Sequence, residues 1–379
     1  MRLVGVVGAA LCSLLAGLSV SLEADGAGLR AGSAAATRSE SGIGAARTVH
    51  NGKIALLTDS YLEVVNPDGS GVRRLTGSGL SGGKACSYPA CVIAADAWSP
   101  DGTRLAFVRG NPGAGPGCRK NCRPAKYSLF VMDANGRNER RVAVCDGACG
   151  GPWFTMFAGL SWSPDSSRIV LSAQGLSIVD VATGKLRRLG LSGTGPAWSP
   201  DGRRIAYASG SRLLTVNTSG TPRPTVLIRL PRYSVDTISW APNSQTIAFD
   251  GPDTIYTVHA DGSKLTSVLA GSRGSGPGTP SWSPDGTKIL YFNTPREPGG
   301  FRAEVWTMQA TGAGKTRLVG LNCCVGEWYM PIWSPDGKQI AFAANGEGTV
   351  SGTYVMNANG TRLRQLLPYP VPITWQPLP

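Results

Sequence analysis

The residues able to do chemistry are few. Only two histidines occur in 379 residues, His50 and His259, far apart in sequence. That argues against a His-rich metal centre and against most His-dependent acid–base catalysis. Gly79-Leu-Ser81-Gly-Gly83 matches the Gly-x-Ser-x-Gly nucleophile pattern. The pattern works on a strand-to-helix elbow with a base and an acid at hand, and here it sits in a Gly/Ser loop with no helix after it. Gly312-Ala-Gly-Lys-Thr316 has the closing residues of a phosphate-binding loop, but the first Gly of that motif would fall at Gln309. The segment reads instead as a hairpin turn. Carboxylates are scattered, with no calcium-loop spacing and no pair that spacing alone supports. No catalytic, cofactor-binding or metal-ligating residue is assigned, and no cofactor is expected.

The thiols point to a compartment. Arg2 is followed by a charge-free run from Leu3 to Leu22, then Glu23 and Asp25. This predicts a secretory signal over residues 1–24, with an uncleaved anchor as the alternative. Residues 25–48, rich in Gly, Ala, Ser and Thr, read as a flexible tether. Setting aside Cys12 in the signal leaves Cys86, Cys91, Cys118, Cys122, Cys145, Cys149, Cys323 and Cys324. An even number in close pairs fits disulfides in an oxidising compartment. A zinc site from Cys118-x3-Cys122 and Cys145-x3-Cys149 lacks the usual two-residue gap. Local pairings Cys86–Cys91, Cys118–Cys122, Cys145–Cys149 and Cys323–Cys324 are one choice among many connectivities. The chain is expected outside the cytoplasm: extracellular, periplasmic or at the cell surface, with no transmembrane span once the signal is cleaved.

One phrase recurs and explains the elements. It runs Trp98-Ser-Pro-Asp101-Gly, Trp162-Ser-Pro-Asp165-Ser, Trp198-Ser-Pro-Asp201-Gly and Trp240-Ala-Pro-Asn-Ser. It returns as Trp282-Ser-Pro-Asp285-Gly, Trp333-Ser-Pro-Asp336-Gly and a worn Trp375-Gln-Pro-Leu-Pro. Successive Trp residues are 64, 36, 42, 42, 51 and 42 apart. A unit near 40 residues is the period of a propeller blade. Pro presets φ, Asp caps its own backbone and Gly accepts positive φ, so each phrase is a tight hairpin between strands A and B. A second turn recurs between strands C and D as Asn66-Pro-Asp-Gly69, Asp133-Ala-Asn-Gly136, His259-Ala-Asp-Gly262 and Asn357-Ala-Asn-Gly360. With 51 Gly and 27 Pro, 41% hydrophobic and 16% charged residues, the chain is turn-rich yet able to bury a core. Period-two alternation between the turns predicts an all-β fold over residues 49–379. The B-C-D strand sets begin near Ile54, Leu105, Ile169, Ile205, Ile247, Ile289 and Ile340, which makes seven blades of four antiparallel strands. The first set lacks its own strand A. Val371 to Trp375 is expected to supply it and close the ring, with both chain ends inside one A–B turn, at Asn51-Gly52 and Pro377-Leu-Pro379.

The repeat resembles the TolB-like β-propeller repeat, whose hallmark is the Trp-Ser-Pro-Asp-Gly hairpin; prolyl-oligopeptidase-type propellers carry similar blades. The resemblance covers about residues 50–379. TolB proteins are six-bladed and carry an N-terminal α/β domain, whereas here seven blades are counted and only the tether precedes them. The repeated Trp and Asp are read as structural, the aromatic packing between blades and the Asp making the hairpin.

Charge and loop length bear on function. The net charge is +13. Arg73, Arg74, Arg140, Arg141, Arg187, Arg188, Arg362 and Arg364 are expected on outermost strands. They read as guards of exposed sheet edges, or as a basic rim for an anionic partner. The long segments Gly77 to Ala95, Gly110 to Lys126, Cys145 to Ala158 and Leu321 to Met330 are B–C or D–A connections and hold all eight cysteines. One face is therefore expected to be a disulfide-pinned binding surface centred on the second blade. These features favour a monomeric, non-enzymatic scaffold that binds a protein or an anionic envelope polymer and not nucleic acid. The competing class is a propeller enzyme of lyase or lactonase type, with its site at the central channel.

Overall fold

Each Trp-anchored hairpin joins an inner strand to one that is apolar on both faces, and this pair dictates the packing. The computed structural model describes residues 50–58, 61–76, 92–111, 126–146, 159–172, 175–230, 235, 237–251, 253–271, 276–297, 300–322, 329–344 and 351–378. The expected signal and tether, Ser81, and Cys86, Cys91, Cys118, Cys122, Cys149, Cys323 and Cys324 lie outside the described residues, as does the side chain of Cys145. The four proposed disulfides therefore fall outside them too.

The strands form seven antiparallel sheets, each one blade. Blade one contains β1 (His50–Leu57), β2 (Leu62–Val65) and β3 (Arg73–Arg74). Blade two contains β4 (Val92–Trp98), β5 (Arg104–Asn111), β6 (Lys126–Asp133) and β7 (Arg140–Asp146). Blade three contains β8 (Leu160–Trp162), β9 (Arg168–Ser172), β10 (Leu176–Asp180) and β11 (Leu186–Arg188). Blade four contains β12 (Thr194–Trp198), β13 (Arg204–Ser209), β14 (Arg212–Asn217) and β15 (Pro224–Arg229). Blade five contains β16 (Ile238–Trp240), β17 (Thr246–Gly251), β18 (Thr254–His259) and β19 (Thr266–Ala270). Blade six contains β20 (Pro277–Trp282), β21 (Lys288–Asn293), a short β22 (Arg296–Glu297), β23 (Gly300–Gln309) and β24 (Thr316–Asn322). Blade seven contains β25 (Tyr329–Trp333), β26 (Gln339–Ala344), β27 (Gly352–Asn357) and β28 (Arg364–Leu367). The last strand, β29 (Ile373–Leu378), returns to pair with β1 and completes blade one in the order β29-β1-β2-β3. The fold is a seven-bladed all-β propeller closed by its C-terminal strand, and no inner strand edge is left open at the junction.

Seven hydrophobic clusters fill the seven seams. Alternation along strand B sends successive side chains to opposite neighbours. Leu105 and Phe107 pack against Ala55, Leu62 and Val64 of blade one. Ala106 and Val108 pack against Ile169, Leu171 and Val179 of blade three. Each repeat Trp faces the preceding blade: Trp198 lies with Val170 and Ile178, and Trp375 with Ala341 and Val355.

The strands run further than the sequence suggests. β1 begins at His50 and pairs with β29 to Leu378, with a bulge between Asn51 and Ile54, so neither Asn51-Gly52 nor Pro377-Leu378 is a turn. β5 and β6 remain in register out to Asn111 and Lys126, and Val92 pairs with Gly110, which shortens the expected loops at both ends. Cys145 belongs to β7, opposite Tyr127, and not to the loop after it. Arg362 is not on an outer strand: it sits in the turn before β28 with φ at 56°.

Candidate functional site

The repeated turn is closed by its own side chains. In blade two the Ser99 hydroxyl accepts from Arg104 N at 3.0 Å, while Asp101 Oδ1 accepts from Thr103 N at 3.0 Å and from Thr103 Oγ1 at 2.8 Å. Ser283 Oγ donates to Asp285 Oδ1 at 2.6 Å, and Ser334 Oγ to Asp336 Oδ1 at 2.7 Å. In blade three the hydrogen bond from Ser163, with those from Ser167, draws the Asp165 carboxyl down to about 2. Blade five replaces the pair with Ala241 and Asn243, whose Oδ1 accepts from Gln245 N at 2.9 Å. These carboxylates are occupied by turn backbone and hydroxyls.

The same turns bond across seams. Ser166 and Ser244 stand where other copies have Gly, and both hold left-handed φ, 58° and 57°. Such a φ costs a non-glycine residue about 1 kcal/mol or more. Each serine uses its hydroxyl to accept the amide of the preceding blade's turn: Asp101 N to Ser166 at 3.1 Å and Asp201 N to Ser244 at 2.9 Å. Asn51 does the same for Asp336 N at 3.2 Å.

The inner strands, which border the central channel, are likewise committed to seams. The indoles of Trp162, Trp240 and Trp333 donate to the carbonyls of Ala97, Ala197 and Ser281, at 3.0, 3.0 and 3.2 Å. The amides of Trp198 and Trp282 donate to Ser161 and Ser239 hydroxyls at 3.1 and 3.2 Å. Trp198 Nε1 turns to Gly202 O of its own hairpin, and among the described residues the buried indole nitrogens of Trp98, Trp282 and Trp375 and the Thr279 hydroxyl have no partner. Asp250 of β17 joins two inner strands, accepting from Thr237 N at 2.6 Å just before β16 and from Thr279 N at 2.8 Å at the bulge of β20. Across the first seam Thr374 Oγ1 donates to Asp96 Oδ2 at 2.6 Å, and Gln376 Nε2 to Gly102 O at 2.7 Å. Burial pushes the Asp96 carboxyl up to about 6, only partly offset by the Thr374 hydrogen bond.

Among the described residues, Asp96 is the one carboxylate contributed by the seven inner strands, and none contributes a histidine apart from the closing partner β1, which carries His50 at its outer end. His259 lies in a C–D turn, its N–H donating to Ser263 O. No group of three or more His, Cys, Asp or Glu that could hold a metal is found among the described residues. Gly312, with φ at 85°, closes a C–D turn by donating to Gln309 O.

The outer strands carry a charge pattern of their own. Arg74 lies over the Tyr61 ring at 3.5 Å. Arg140 donates to Val181 O of the next blade, Arg187 to Thr218 O at 2.6 Å, and Arg364 to Pro67 O. These three arginines clasp adjacent blades, a role the sequence alone did not assign to them. Arg141 and Arg188 line a groove of about 540 Å³ with Val142, Ala143, Val144, Gly184 and Leu186, at the circumference between blades two and three.

No protein-family profile matches the chain, and no characterised protein matches it in sequence. Solved structures do. An oligogalacturonate lyase in complex with manganese is 14% identical, with a TM-score of 0.56 and 84% of each chain covered. The β-propeller domain of Myceliophthora thermophila Cps50 (Swd1) is 14% identical with a TM-score of 0.53, covering 75% of this chain and 90% of that one. TolB from Acinetobacter baumannii is 14% identical with a TM-score of 0.48, covering 87% and 83%. At these identities the first two likenesses bear on the β-propeller fold and nothing finer.

Proposed function

We propose that the chain is an exported, non-enzymatic binding scaffold that presents a rigid ring to a protein or an anionic envelope polymer. One observation carries this reading: the carboxylate and the paired serines of the inner strands are spent on the seams. Asp96 is held by Thr374, and Ser161 and Ser239 by the amides of Trp198 and Trp282, while Asp250 of the neighbouring β17 takes the amides of Thr237 and Thr279. A channel enzyme needs groups aimed at a reacting atom, and these are aimed at neighbouring blades. The recognition surface in this reading is the B–C and D–A loop face around blade two, pinned by the four proposed disulfides. No helix among the described residues is long and apolar enough to cross a membrane.

The test is turnover. Purified protein, alone and with added manganese, should leave lactone, phosphate-ester and uronate substrates unchanged and should carry no stoichiometric metal. Turnover of any of these, or bound metal, establishes the lyase or lactonase alternative instead. Thiol titration of the unfolded, unreduced chain checks the pinned face, and several free thiols refute it.

A further inference from the structure

We propose that the groove between the outer strands of blades two and three is a docking site for an extended, acidic peptide segment. The outer strands β3, β7, β11, β15, β19, β24 and β28 together carry nine arginines, no lysine, no glutamate and a single aspartate, Asp146. Five of the arginines are engaged: Arg140, Arg187 and Arg364 clasp neighbouring blades, Arg317 pairs with Glu304, and Arg74 lies over Tyr61 beside Glu63. The guanidinium groups of Arg73, Arg141, Arg188 and Arg229 make no hydrogen bond or ion pair among the described residues. Of these four, Arg141 and Arg188 share one groove. A guanidinium not used by the fold presents its planar donor fork to a carboxylate.

The occupant follows from what lies between the two arginines. β7 and β11 are both edge strands of their sheets, so each presents unpaired backbone donors and acceptors along the groove. Val144 is 48% exposed, while Val142 and Ala143 below it are buried. An extended chain with carboxylates alternating with aliphatic residues meets all three features: ion pairs at Arg141 and Arg188, backbone bonds at an edge, and apolar contact at Val144. A sugar acid polymer would satisfy only the first. The net charge of +13 steers acidic partners toward the ring. The proposal does not depend on the channel being inert, so turnover there would leave it standing.

The experiment uses the full chain and a short labelled peptide alternating Glu and Val, followed by fluorescence anisotropy at low salt. The double variant R141A/R188A should weaken binding at least about tenfold, the loss expected from two charge-assisted contacts. The control R73A/R229A removes the same rim charge elsewhere and should cost no more than roughly twofold. Hydrogen exchange of the wild-type chain should show peptide-dependent protection in β7 or β11, which keeps the test open if a variant folds poorly. No binding at low salt, equal loss in both variants, or protection confined to other strands overturns the proposal. Displacement of the peptide by polygalacturonate, bound more tightly with the same arginine dependence, overturns the peptide as occupant.

Discussion

Closure of the ring can be tested with one methyl group. Gly102 and Gly202 occupy the same position of the same turn, with φ at 68° and 74° and matching amide bonds to Ser99 O and Ser199 O, at 2.8 and 2.9 Å. Alanine at either position suffers the left-handed penalty of about 1–2 kcal/mol. Their surroundings differ. A Cβ at Gly202 has Pro164 Cδ as its nearest neighbour, at 3.7 Å. A Cβ at Gly102 falls 1.8 Å from the carbonyl oxygen of Pro377, in the closing strand. That oxygen belongs to backbone paired with Asn51, so β29 must recede and the Gln376 bond to Gly102 O goes with it. Overpacking costs about 1–3 kcal/mol and the lost bond about 1 more. Gly102→Ala should therefore cost about 2–4 kcal/mol more than Gly202→Ala, a gap of roughly 3–6 °C in melting temperature for a folded unit of this length. Thermal and urea unfolding of both variants measure it. A chain lacking residues 377–379 supplies the third arm, because in it the two substitutions should become equivalent. Equal losses in the full-length chains, or a gap that survives the truncation, refutes the placement of the closing strand.

Other consequences are separable from that one. Asp96 has a folded-state pKa near 6 against 3.8 for the free group. A raised pKa means the folded state favours the protonated carboxyl, so its contribution is present below about pH 4 and is lost as pH rises through 6. Asp96→Asn should stabilise the protein at pH 7.5 by up to about 3 kcal/mol and flatten its stability between pH 4 and 6; a variant no more stable than wild type at pH 7.5 refutes this. Arg109 holds Glu139 through both carboxylate oxygens, at 2.6 and 3.3 Å, with the guanidinium 4.1 Å from the Phe130 ring. Arg109→Met should cost about 3 kcal/mol by stranding a nearly buried carboxylate, and adding Glu139→Gln should recover most of it in urea unfolding. Deleting residues 370–379 removes the β29 strand whole and should lower the melting temperature far more than trimming a free end would, and an unchanged value contradicts the pairing with β1.

Much of the architecture was legible because it repeats. The Trp-Ser-Pro-Asp phrase marks a turn whose geometry its own residues dictate, so blade number and ring closure could be counted. A second repeat was present but passed unread. Nine residues after Trp98, Trp198, Trp240, Trp282 and Trp333 stand Phe107, Tyr207, Phe249, Tyr291 and Phe342. Four of these stack on a strand C aromatic directly opposite, Phe130, Tyr256, Trp306 and Tyr354, with ring centroids 5.3–6.4 Å apart. The serines at positions 166 and 244 looked like worn glycines, because their value lies in a partner one blade away. The rim arginines hid their role for the same reason. Arg140 and Arg141 are neighbours in sequence, yet one clasps Val181 and the other lines a groove, and which does which depends on where the next blade's turn falls. Strand ends were misplaced wherever pairing, and not the residues' own preference, keeps the backbone extended, as at Asn111 and Cys145.

The distribution of polar bonds among the seams has a physical logic. Between consecutive blades the chain is continuous, the connection itself limits register, and indole, serine and arginine bonds accompany the apolar cluster. The blade completed by β29 has no such tether, since the strand arrives from the far end of the sequence. A one-residue slip there would turn Ile373 and Trp375 out of the cluster they share with Ala341 and Val355. Side-chain bonds hold the strand on both sides. Gln376 donates to Gly102 O and accepts from Lys53 N at 2.9 Å, Thr374 meets Asp96, and Asn51 takes the Asp336 amide. The bonds of Gln376 and Thr374 are lost if β29 shifts by one residue, whereas an apolar contact could be partly replaced. The partly buried, desolvated carboxylate of Asp96 is costly at neutral pH, and its position at this junction, opposite a threonine that only the correct register provides, ties that cost to register specificity.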